Sequence, residues 1–480
     1  MIFQPVLYVI GYLLSALSII LCIPATVDAF YGDSQWQAFM FSSLISLFFG
    51  VILVLANKSD NFSLSIKQAF LLTTLSWVFI AFFGSLPFIF SDLELSFTDA
   101  FFESMSGITT TGSTILSGLD NLPHGILIWR SLLQWFGGIG IVVIAIAFLP
   151  ILKVGGMQLF HTESSDSSEK VLPRAGQIAS IIGIIYFFLT ILCALLLWKF
   201  GMPVFDSIAH SMTTLATGGF STSDMSIGKY NNINIEFTIG IFMILGSLPF
   251  ILYLQTLKGD FLAIFKDNQV QFFIFLVIIS IFIVTFWKYQ NTASFFNNFR
   301  PAFFNTISIF TGTGYTTQDF NSWGSFIIIL FLFLMLVGGC AGSTTCGIKI
   351  FRLQILYQSA KVQIFKLLNP HGVSLAKYNK KPVSGDITSS VMGYFFMFII
   401  SYIIIALILS FLGNDFLTSL SGAATSLANV GPGLGNVIGP TKTFAELSDI
   451  TKWVLIIGML IGRLELLSVF IILTPAFWRN

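Results

Sequence analysis

Four glycine-bearing polar segments interrupt the apolar runs of this chain. They read TTTGST (109–114), ATGGFST (216–222), TGTGYTT (311–317) and ANVGPGLG (428–435). Aligned on Gly112, Gly219, Gly314 and Gly431, they recur at intervals of 107, 95 and 117 residues, which indicates one unit of about 100 residues used four times. Glycine has no Cβ to forbid positive φ, so it lets a backbone turn its carbonyl groups toward a common axis. Four such segments around one axis would stack rings of carbonyl oxygens, which replace the hydration shell of a monovalent cation.

At each segment we expect backbone carbonyl oxygens, not side chains, to coordinate the ion. A single glycine of this kind is more often part of a tight turn or a close helix contact, but its recurrence in four equivalent places favours ion coordination. The third segment also resembles the TVGYG loop of potassium channels, through Thr313, Gly314 and Tyr315. The candidate ion-binding residues are Thr110, Thr111 and Gly112; Thr217, Gly218 and Gly219; Gly312, Thr313 and Gly314; and Asn429, Val430 and Gly431.

The composition is that of a membrane protein. Of the 480 residues, 55% are hydrophobic and 9% are charged, against about 25% charged in an ordinary soluble domain. The many separate apolar runs predict several membrane spans rather than a single anchor. A polar break inside such a protein persists only where it is buried in protein or lines a water-filled path, because its backbone groups find no partner in hydrocarbon. The net charge of +1 gives no reason to expect a nucleic acid as a partner.

The apolar runs predict an all-α integral membrane protein with two N-terminal helices and four repeats around one pore. The first run, 6–26, lacks the basic leader of a cleaved signal peptide, so we interpret it and the next run, 36–56, as retained helices. Each repeat consists of an outer span, a short pore helix that leads into a polar segment, and an inner span. The predicted units are residues 1–62, 63–152, 170–258, 268–366 and 383–480.

Element bounds follow from the same pattern and give ten spans and four half-spans. Outer spans are predicted at 68–90, 178–200, 272–287 and 391–412, pore helices at 99–108, 206–215, 301–310 and 416–426, and inner spans at 126–149, 236–257, 326–357 and 453–475. Asp99, Asp206 and Asp415 stand at or near the start of three pore helices and Pro301 opens the other, which is typical of helix starts. The C-terminal ends of these helices would direct partial negative charge at a cation. His210 is expected to be a hydrogen-bonded packing residue.

Lysine and arginine are concentrated in the loops on one side of the spans, and this side is therefore predicted to be cytoplasmic. These residues are Lys58, Lys67, Lys153, Lys170, Arg174, Lys258, Lys266, Lys349, Arg352, Lys361, Lys366, Lys377, Lys380 and Lys381. The opposite loops are rich in acids, which would concentrate cations at the entrance, although ordinary solvated charges explain the pattern equally well. The longest basic loop, 368–386, could dock a cytosolic partner.

A second kind of break lies within the third inner span, where GGCAGSTTCG (338–347) interrupts a long apolar run. Small residues stabilise a regular helix poorly, and backbone groups that leave the helix need polar partners. The alternative is a kink at the glycines of an otherwise continuous, packed helix. In the last span, Arg463 lies near the middle, where a charge costs at least ~2.5 kcal/mol. We expect it to face a wet cavity or a partner, the alternative being a structural ion pair with an acid on another helix. Glu465 is too close in sequence to pair with it within one helix.

Taken together, these features resemble a known family. The four polar segments, the run KVGGMQLFHTESSDSSEKVLPR (153–174), GGCAGSTTCGIKI (338–350) and IGRLELL (461–467) are similar to the Trk/Ktr/HKT superfamily of potassium transporters, and most of all to its bacterial TrkH family. The resemblance covers nearly the whole chain. Any one of these motifs alone would be a weak signal, whereas their combination is specific.

The resemblance implies potassium uptake across the bacterial plasma (inner) membrane through a gated, channel-like pore. The resemblance implies that the break at 338–347 is an intramembrane gate below the four-loop filter. It also implies that Arg463 is an electrostatic barrier to cations in the pore below the filter. The gate residues so implied are Gly338, Gly339, Cys340, Ala341, Gly342, Ser343, Thr344, Thr345, Cys346 and Gly347, with Arg463. The resemblance further implies a homodimer in membrane lipid, regulated by a cytosolic nucleotide-binding subunit of the TrkA type, with potassium as substrate and rubidium or sodium as further candidate ions.

Two alternatives stay open. A proton- or sodium-coupled potassium symporter, or a less selective potassium/sodium conduit, would use the same residues and differ in coupling. A membrane-embedded enzyme would need paired acids, a nucleophile with a base, or metal ligands at membrane depth, and the middles of the spans are expected to offer almost no ionisable groups beyond Arg463 and Glu465. Neither a GxxxxGK[ST] nor an HExxH motif occurs. We therefore expect neither an enzyme nor a covalent cofactor, and the energy must come from the membrane potential, a coupled ion or a nucleotide-binding partner.

Overall fold

The chain folds as the predicted all-α integral membrane protein, with two N-terminal helices and four repeats of outer, pore and inner helices. The computed structural model describes residues 3–58, 65–147, 156–157, 171–289, 294–379 and 381–479. Within them, seven helices are long and apolar enough to cross a membrane, and two bent helix pairs and the apolar helix Ser325–Leu336 add to these. The predicted repeat boundaries near 62, 152 and 170, most of the motif 153–174, and Lys153, Lys170 and Lys380 lie outside the described residues, as does the side chain of Arg174.

The two N-terminal helices, Gln4–Tyr31 and Trp36–Ala56, form an antiparallel pair. They are in tight contact at Gly11 and Gly50, where a Cβ on Gly11 would lie 2.8 Å from the carbonyl oxygen of Gly50. A side chain at either position would push the helices apart. Both helices were predicted as spans, and the first extends farther toward the acidic loops than the run 6–26.

The helices of the four repeats follow the predicted order. The outer helices are Ile66–Phe90, Val171–Lys199, Asn268–Tyr289 and Gly385–Phe411, and the pore helices are Phe97–Ile108, Val204–Leu215, Phe295–Phe310 and Phe416–Ala428. The inner helices are His124–Ala147, then Ile233–Gly246 with Phe250–Leu257, then Ser325–Leu336 with Ile350–Leu368, then Asp449–Arg463 with Leu467–Leu473. The repeats begin at positions compatible with the predicted units, which themselves stay a prediction.

Short elements connect these helices or follow the last of them. They are the helices Ala263–Lys266, Gly435–Ile438 and Pro475–Trp478 and the 3-10 turns Leu119–Asn121, Ser226–Tyr230 and Phe320–Trp323. In the basic loop 368–386, the strands Lys377–Tyr378 and Lys381–Pro382 pair antiparallel, with Lys377 opposite Pro382 and Tyr378 opposite Lys381. This hairpin is the only β structure in the part of the chain that the structure describes, apart from a single bridge between Val337 and Ile348.

Two inner spans predicted as single helices are bent. In the second, the chain turns by 91° between Gly246 and Phe250, because Pro249 cannot donate a helical hydrogen bond and disfavours helix at the residue before it. In the fourth, the chain turns by 113° after Arg463, where Glu465 and Leu466 adopt φ of 60° and 38°. The spans predicted at 236–257 and 453–475 are thus present with bounds within four residues of the prediction, but each consists of two helices, and Arg463 ends the first helix of its pair.

The starts of the pore helices also differ from the prediction. The third pore helix begins at Phe295 and contains Pro301 in its interior. Ser96, not Asp99, caps the first pore helix by accepting a hydrogen bond from the Asp99 amide, and Pro203 precedes the second. Asp415 caps the fourth as expected, because its carboxylate accepts from the amides of Leu417 and Thr418 at 3.1 Å.

Burial is distributed as in a membrane protein. The outer helices leave large apolar side chains exposed, among them Ile184, Phe188, Phe286 and Leu407. The pore helices are instead buried and rich in serine and threonine, and even the charged Glu103 is fully buried there. Polar groups thus lie at the centre of the molecule and apolar groups at its outside, where hydrocarbon would meet them.

Candidate functional site

The four polar segments, called loops 1 to 4 from here on (residues 109–114, 216–222, 311–317 and 428–435), approach one another at their glycines. A Cβ on Gly112 in loop 1 would overlap the carbonyl oxygen of Gly218 in loop 2. A Cβ on Gly219 in loop 2 would overlap the carbonyl oxygen of Thr313 in loop 3. The neighbouring backbone therefore leaves no room for a side chain at either glycine.

Loop 4 closes the ring. A Cβ on Gly314 in loop 3 would lie 3.0 Å from the Cα of Gly431 in loop 4, and one on Gly431 would lie 3.4 Å from the carbonyl oxygen of Thr111 in loop 1. Side chains join the same two loops, since Ser113 Oγ donates to the Gly431 carbonyl at 2.7 Å and Asn429 Nδ2 donates to Thr111 Oγ1 at 2.8 Å. The loops thus follow one another around a single centre in the order 1-2-3-4.

Loops 1 to 3 share an unusual backbone conformation. In each of them the aligned glycine and the residue two positions before it both adopt positive φ. The pairs are Thr110 (52°) and Gly112 (86°), Thr217 (50°) and Gly219 (75°), and Gly312 (73°) and Gly314 (86°). In loop 4, Asn429 has a φ of 55°, but Gly431 does not adopt positive φ. A threonine at positive φ is strained and persists only where its surroundings hold it. The recurrence of this conformation indicates that it serves the ring of loops and not one local turn.

Most of the candidate carbonyl oxygens accept no hydrogen bond. Within the described ranges, no donor reaches the carbonyl oxygens of Thr110, Thr111, Gly112, Thr217, Gly219, Gly312, Thr313, Gly314 and Asn429. The other three are engaged: Gly218 accepts from Gln134 Nε2 at 2.7 Å, Val430 from Thr425 Oγ1 at 2.6 Å, and Gly431 from Ser113. Buried carbonyls nearly always have a partner in protein, water or ligand. Nine carbonyl oxygens in the ring are therefore free to take a cation.

Three of the four loops are tied back to their own pore helix by a hydroxyl six residues before the aligned glycine. In loops 1, 3 and 4 this hydroxyl donates to the carbonyl just after that glycine, from Ser106 to Ser113 (2.6 Å), from Ser308 to Tyr315 (2.7 Å) and from Thr425 to Pro432 (3.2 Å). In repeat 2 the corresponding Thr213 instead hydrogen-bonds the hydroxyl of Tyr315 from loop 3. Sequence reasoning missed these tethers, although the recurring hydroxyl at a fixed offset could have pointed to them.

A second tether begins nine residues before the aligned glycine. Glu103 accepts from Thr114 Oγ1 and from the Ile115 amide at 3.0 Å, His210 Nε2 lies 3.1 Å from Ser221 Oγ, and Asn305 Nδ2 donates to Thr317 Oγ1 at 2.8 Å. The fourth repeat has Gly422 at this position. His210 is buried and also contacts the Asp206 carbonyl at 2.8 Å, so the prediction of a hydrogen-bonded packing residue is confirmed.

The break in the third inner span is an irregular, fully buried segment, called the intramembrane segment here (residues 338–347). It lies against loop 2, because Thr344 Oγ1 donates to the Gly246 carbonyl at 3.0 Å and lies 3.1 Å from Thr217 Oγ1. Further backbone bonds run from Cys340 to Ser247 (3.0 Å) and from Phe250 to Gly342 (2.9 Å). The chain leaves helical geometry from Leu336 to Ile350, so the alternative of a kinked continuous helix was wrong.

Arg463 joins the intramembrane segment to the first repeat. It is 1% exposed, and its Nη1 donates to the Thr344 carbonyl at 3.0 Å and to Cys346 Sγ at 2.9 Å, while Nη2 donates to the Gly137 carbonyl at 2.8 Å. No described carboxylate pairs with it, since Glu465 pairs with Arg352. The structural ion pair was therefore the wrong alternative. The structure brings all the predicted gate residues together, beside a narrow cavity lined by Ser343, Cys346, Arg463 and Glu465 among others.

Further buried ionisable groups lie on the pore helices and near the ends of the inner helices, outside the middles of the spans to which the expectation applied. Glu103 and Arg130 form an ion pair at 2.7 Å with both side chains at most 1% exposed, and Glu236 pairs with Arg300 at 2.8 Å. Arg352 is also buried, with its guanidinium 3.7 Å from the centre of the Tyr394 ring. Charged residues in otherwise apolar runs were the available signal, because such residues in a membrane almost always face a partner or a cavity.

Comparison with known proteins agrees with this geometry. A family model, TrkH, described as a cation transport protein, matches residues 35–479. The chain is 45% identical over 477 residues to the Trk system potassium uptake protein TrkI of Halomonas elongata, covering 99% of this chain and 97% of that protein. It is 37% identical to the Trk system potassium uptake protein TrkH of Salmonella typhimurium over the full length of both.

The fold matches a solved structure over its whole length. The crystal structure of the potassium transporter TrkH from Vibrio parahaemolyticus has a TM-score of 0.93 and 36% sequence identity to this chain, with all of both chains covered. Agreement of the family model, the full-length relatives and the solved fold leaves one assignment. The chain belongs to the TrkH family of cation transport proteins.

Proposed function

We propose that this chain takes up potassium across the bacterial plasma membrane through a gated, channel-like pore whose selectivity filter is formed by loops 1 to 4. The observation that carries the proposal is the ring of four loops in which nine backbone carbonyl oxygens have no donor among the described residues. Rings of carbonyl oxygens replace the water shell of potassium. The potassium uptake named for the relatives from Halomonas and Salmonella supports the same substrate.

The pore helices would assist the ion electrostatically. All four lead directly into a loop, with the last helical residues at Ile108, Leu215, Phe310 and Ala428. The C-terminal end of a helix carries a partial negative charge of about half an electron, so four such ends around one centre would lower the cost of holding a dehydrated cation. No side-chain carboxylate is needed for this, which fits the neutral composition of the loops.

The intramembrane segment with Arg463 would be the gate. Thr344 contacts a filter residue directly, and Arg463 places a full positive charge on the segment and hydrogen-bonds its backbone. A fixed positive charge near a narrow path opposes a passing cation. Opening would require the Arg463 contacts to the segment to break or move, and the energy for this would come from a partner or a bound ligand.

The basic loops would face the cytoplasm, following the usual bias of lysine and arginine. The helix Ile350–Leu368, which continues from the intramembrane segment, carries the exposed Lys361 and Lys366 toward this side. A cytosolic nucleotide-binding subunit of the TrkA type that binds this helix could therefore act directly on the gate. The functional unit would be a homodimer. On the opposite side, Asp120 is already paired with Lys229 at 2.7 Å, so the acidic vestibule is weaker than the charge count suggests.

The test is ion uptake by purified protein in liposomes under an imposed membrane potential, with potassium, rubidium or sodium as the test ion. Selective, saturable potassium and rubidium uptake is expected, together with rescue of a potassium-uptake-deficient bacterium in low-potassium medium. A coupled symporter would be favoured if the reversal potential depended on the proton or sodium gradient as well as on the potassium gradient. Equal sodium and potassium uptake would overturn the selective filter.

A further inference from the structure

Loop 2 is held by two polar side chains from the inner helix of repeat 1. Gln134 Nε2 donates to the Gly218 carbonyl at 2.7 Å, and Gln134 Oε1 accepts from the Phe220 amide at 3.0 Å, so one carboxamide spans both sides of Gly219. One turn away, Arg130 Nη1 donates to the Ser221 carbonyl at 2.8 Å, and its guanidinium lies 4.1 Å from the centre of the Phe220 ring. Both side chains are buried.

The corresponding positions in other repeats can be identified from a shared contact. In three repeats a glycine of the inner helix packs against the pore helix, at the carbonyl oxygen of the residue four positions before the aligned loop glycine. The contacts are Gly137 with Ile108, Gly246 with Leu215 and Gly462 with Leu427. Three residues before these glycines stand Gln134, Met243 and Met459, and seven residues before them stand Arg130, Ile239 and Leu455. The polar pair is therefore present in repeat 1 and replaced by buried apolar residues in repeats 2 and 4.

The charge of Arg130 is balanced locally. Its Nε donates to Glu103 at 2.7 Å and its Nη2 to Thr114 Oγ1 at 3.1 Å, and Glu103 itself holds the Ile115 amide. Arg130 thus fixes the distance between the end of loop 1 and the end of loop 2, without adding a net charge to the pore mouth. A planar guanidinium with several donors suits this bridging task.

We infer that Gln134, assisted by Arg130, is a positioning residue that sets the ion selectivity of the pore by clamping loop 2 around Gly219. The inference rests on the proposed function. The clamp has two consequences for the filter. It holds Gly219 in its left-handed conformation from both flanks, and it engages the Gly218 carbonyl, while the aligned carbonyls of Thr111 and Thr313 accept from no described donor. In loop 4 the aligned carbonyl of Val430 also accepts a hydrogen bond, but from Thr425 of its own pore helix. Loop 2 therefore differs from its two neighbours in the ring, loops 1 and 3, in both rigidity and electrostatics.

The test is Gln134→Met, which places in repeat 1 the residue found at this position in repeats 2 and 4. We expect the potassium-over-sodium permeability ratio in liposomes to fall about tenfold, the effect of one neutral hydrogen bond at the upper end of its range, while potassium uptake continues. Met243→Leu is the matched control at the equivalent apolar position and should leave the ratio unchanged. A shift in the ratio, unlike a loss of total uptake, is not produced by poor folding alone.

A folded, conducting Gln134→Met protein with the wild-type ratio would overturn the inference. If this variant is not recovered folded, Gln134→Asn decides in the same assay, because its shorter amide cannot reach both the Gly218 carbonyl and the Phe220 amide. Gly219→Ser, measured in parallel, separates the two proposals. A changed ratio in Gly219→Ser with an unchanged ratio in the Gln134 variants rejects the clamp alone, whereas unchanged ratios in all of them reject the four-loop filter.

Discussion

The hydroxyl of Thr344, in the intramembrane segment, lies 3.1 Å from the hydroxyl of Thr217 in loop 2. The candidate gate and the candidate filter are therefore in direct contact, with no intervening layer of side chains at this point. Thr217 has positive φ, and Thr344 also donates to the Gly246 carbonyl of the adjacent inner helix. A conformational change in the intramembrane segment would consequently alter a contact of the candidate filter directly.

Thr344→Val should raise potassium uptake about threefold. Valine has nearly the same shape but cannot bond the Gly246 carbonyl or Thr217, and one neutral hydrogen bond contributes about 0.5–1.5 kcal/mol. The measurement is rubidium uptake into liposomes without any partner protein. Thr388→Val, near the start of an outer helix, should not change uptake, and equal uptake in both variants would contradict a gating role for Thr344.

Arg463→Ala should raise potassium uptake about tenfold, which corresponds to ~1.4 kcal/mol of barrier. A fixed unit charge exerts at least this much on a nearby cation at an effective dielectric constant of about 20. Three hydrogen bonds to the intramembrane segment and to Gly137 are lost at the same time. Arg479→Ala, at the exposed C-terminal end, is the charge-matched control. Slower uptake by a folded Arg463→Ala protein would show that the arginine holds the pore together and does not close it.

Gly219→Ser should lower potassium-over-sodium selectivity about tenfold. Its φ of 75° disfavours any side chain, and a Cβ would overlap the Thr313 carbonyl of the adjacent loop. Gly118→Ser is the matched control, because Gly118 has a φ of 71° but open space around its Cβ. Reversal potentials in mixed potassium and sodium solutions give the ratio. A loss of selectivity of equal size in both variants would assign the effect to backbone strain in general.

Glu103→Ala should destabilise the protein by about 3–5 kcal/mol, because it leaves Arg130 as a buried, uncompensated charge. Thermal unfolding in detergent should show a clearly lower midpoint than for Glu446→Ala, which removes an exposed carboxylate. The double variant Glu103→Leu with Arg130→Met should recover part of the loss, since apolar replacements of a whole buried pair are often neutral. No recovery would mean that the bonds to Thr114 and Ser221 matter more than the charge balance.

The arrangement of the four loops could be predicted from the sequence because it depends on a repeat. Recurring glycines and hydroxyl residues at similar intervals restrict how four segments can be buried in a membrane, and the structure confirms that they surround one centre. The ten small residues 338–347 indicated a break in the third inner span, but a kinked helix stayed open as an alternative, and it was the family resemblance that implied an intramembrane segment. Pro249 was visible too, and could have indicated the bend in the second inner span.

Other features depend on contacts between repeats, which no local pattern reveals. The bend at Glu465 and Leu466 has no glycine or proline to mark it, and Glu465 leaves the helix to pair with Arg352 from another repeat. Likewise, whether the Gly218 carbonyl faces an ion or a donor is decided by Gln134, 84 residues earlier. The composition predicted the apolar spans. It could not predict which partners the buried polar residues, such as Gln134 and Glu465, would contact in other parts of the fold.

The four loops are not fastened alike, since Gln134 of the first inner helix holds loop 2, whereas Ser113 and Asn429 join loops 1 and 4 to each other. In a channel built from four identical subunits, any substitution alters every quadrant at once. In this single polypeptide, evolution can adjust one quadrant while the remaining three keep the opening intact. Ion preference can therefore drift in small steps among descendants of such a protein.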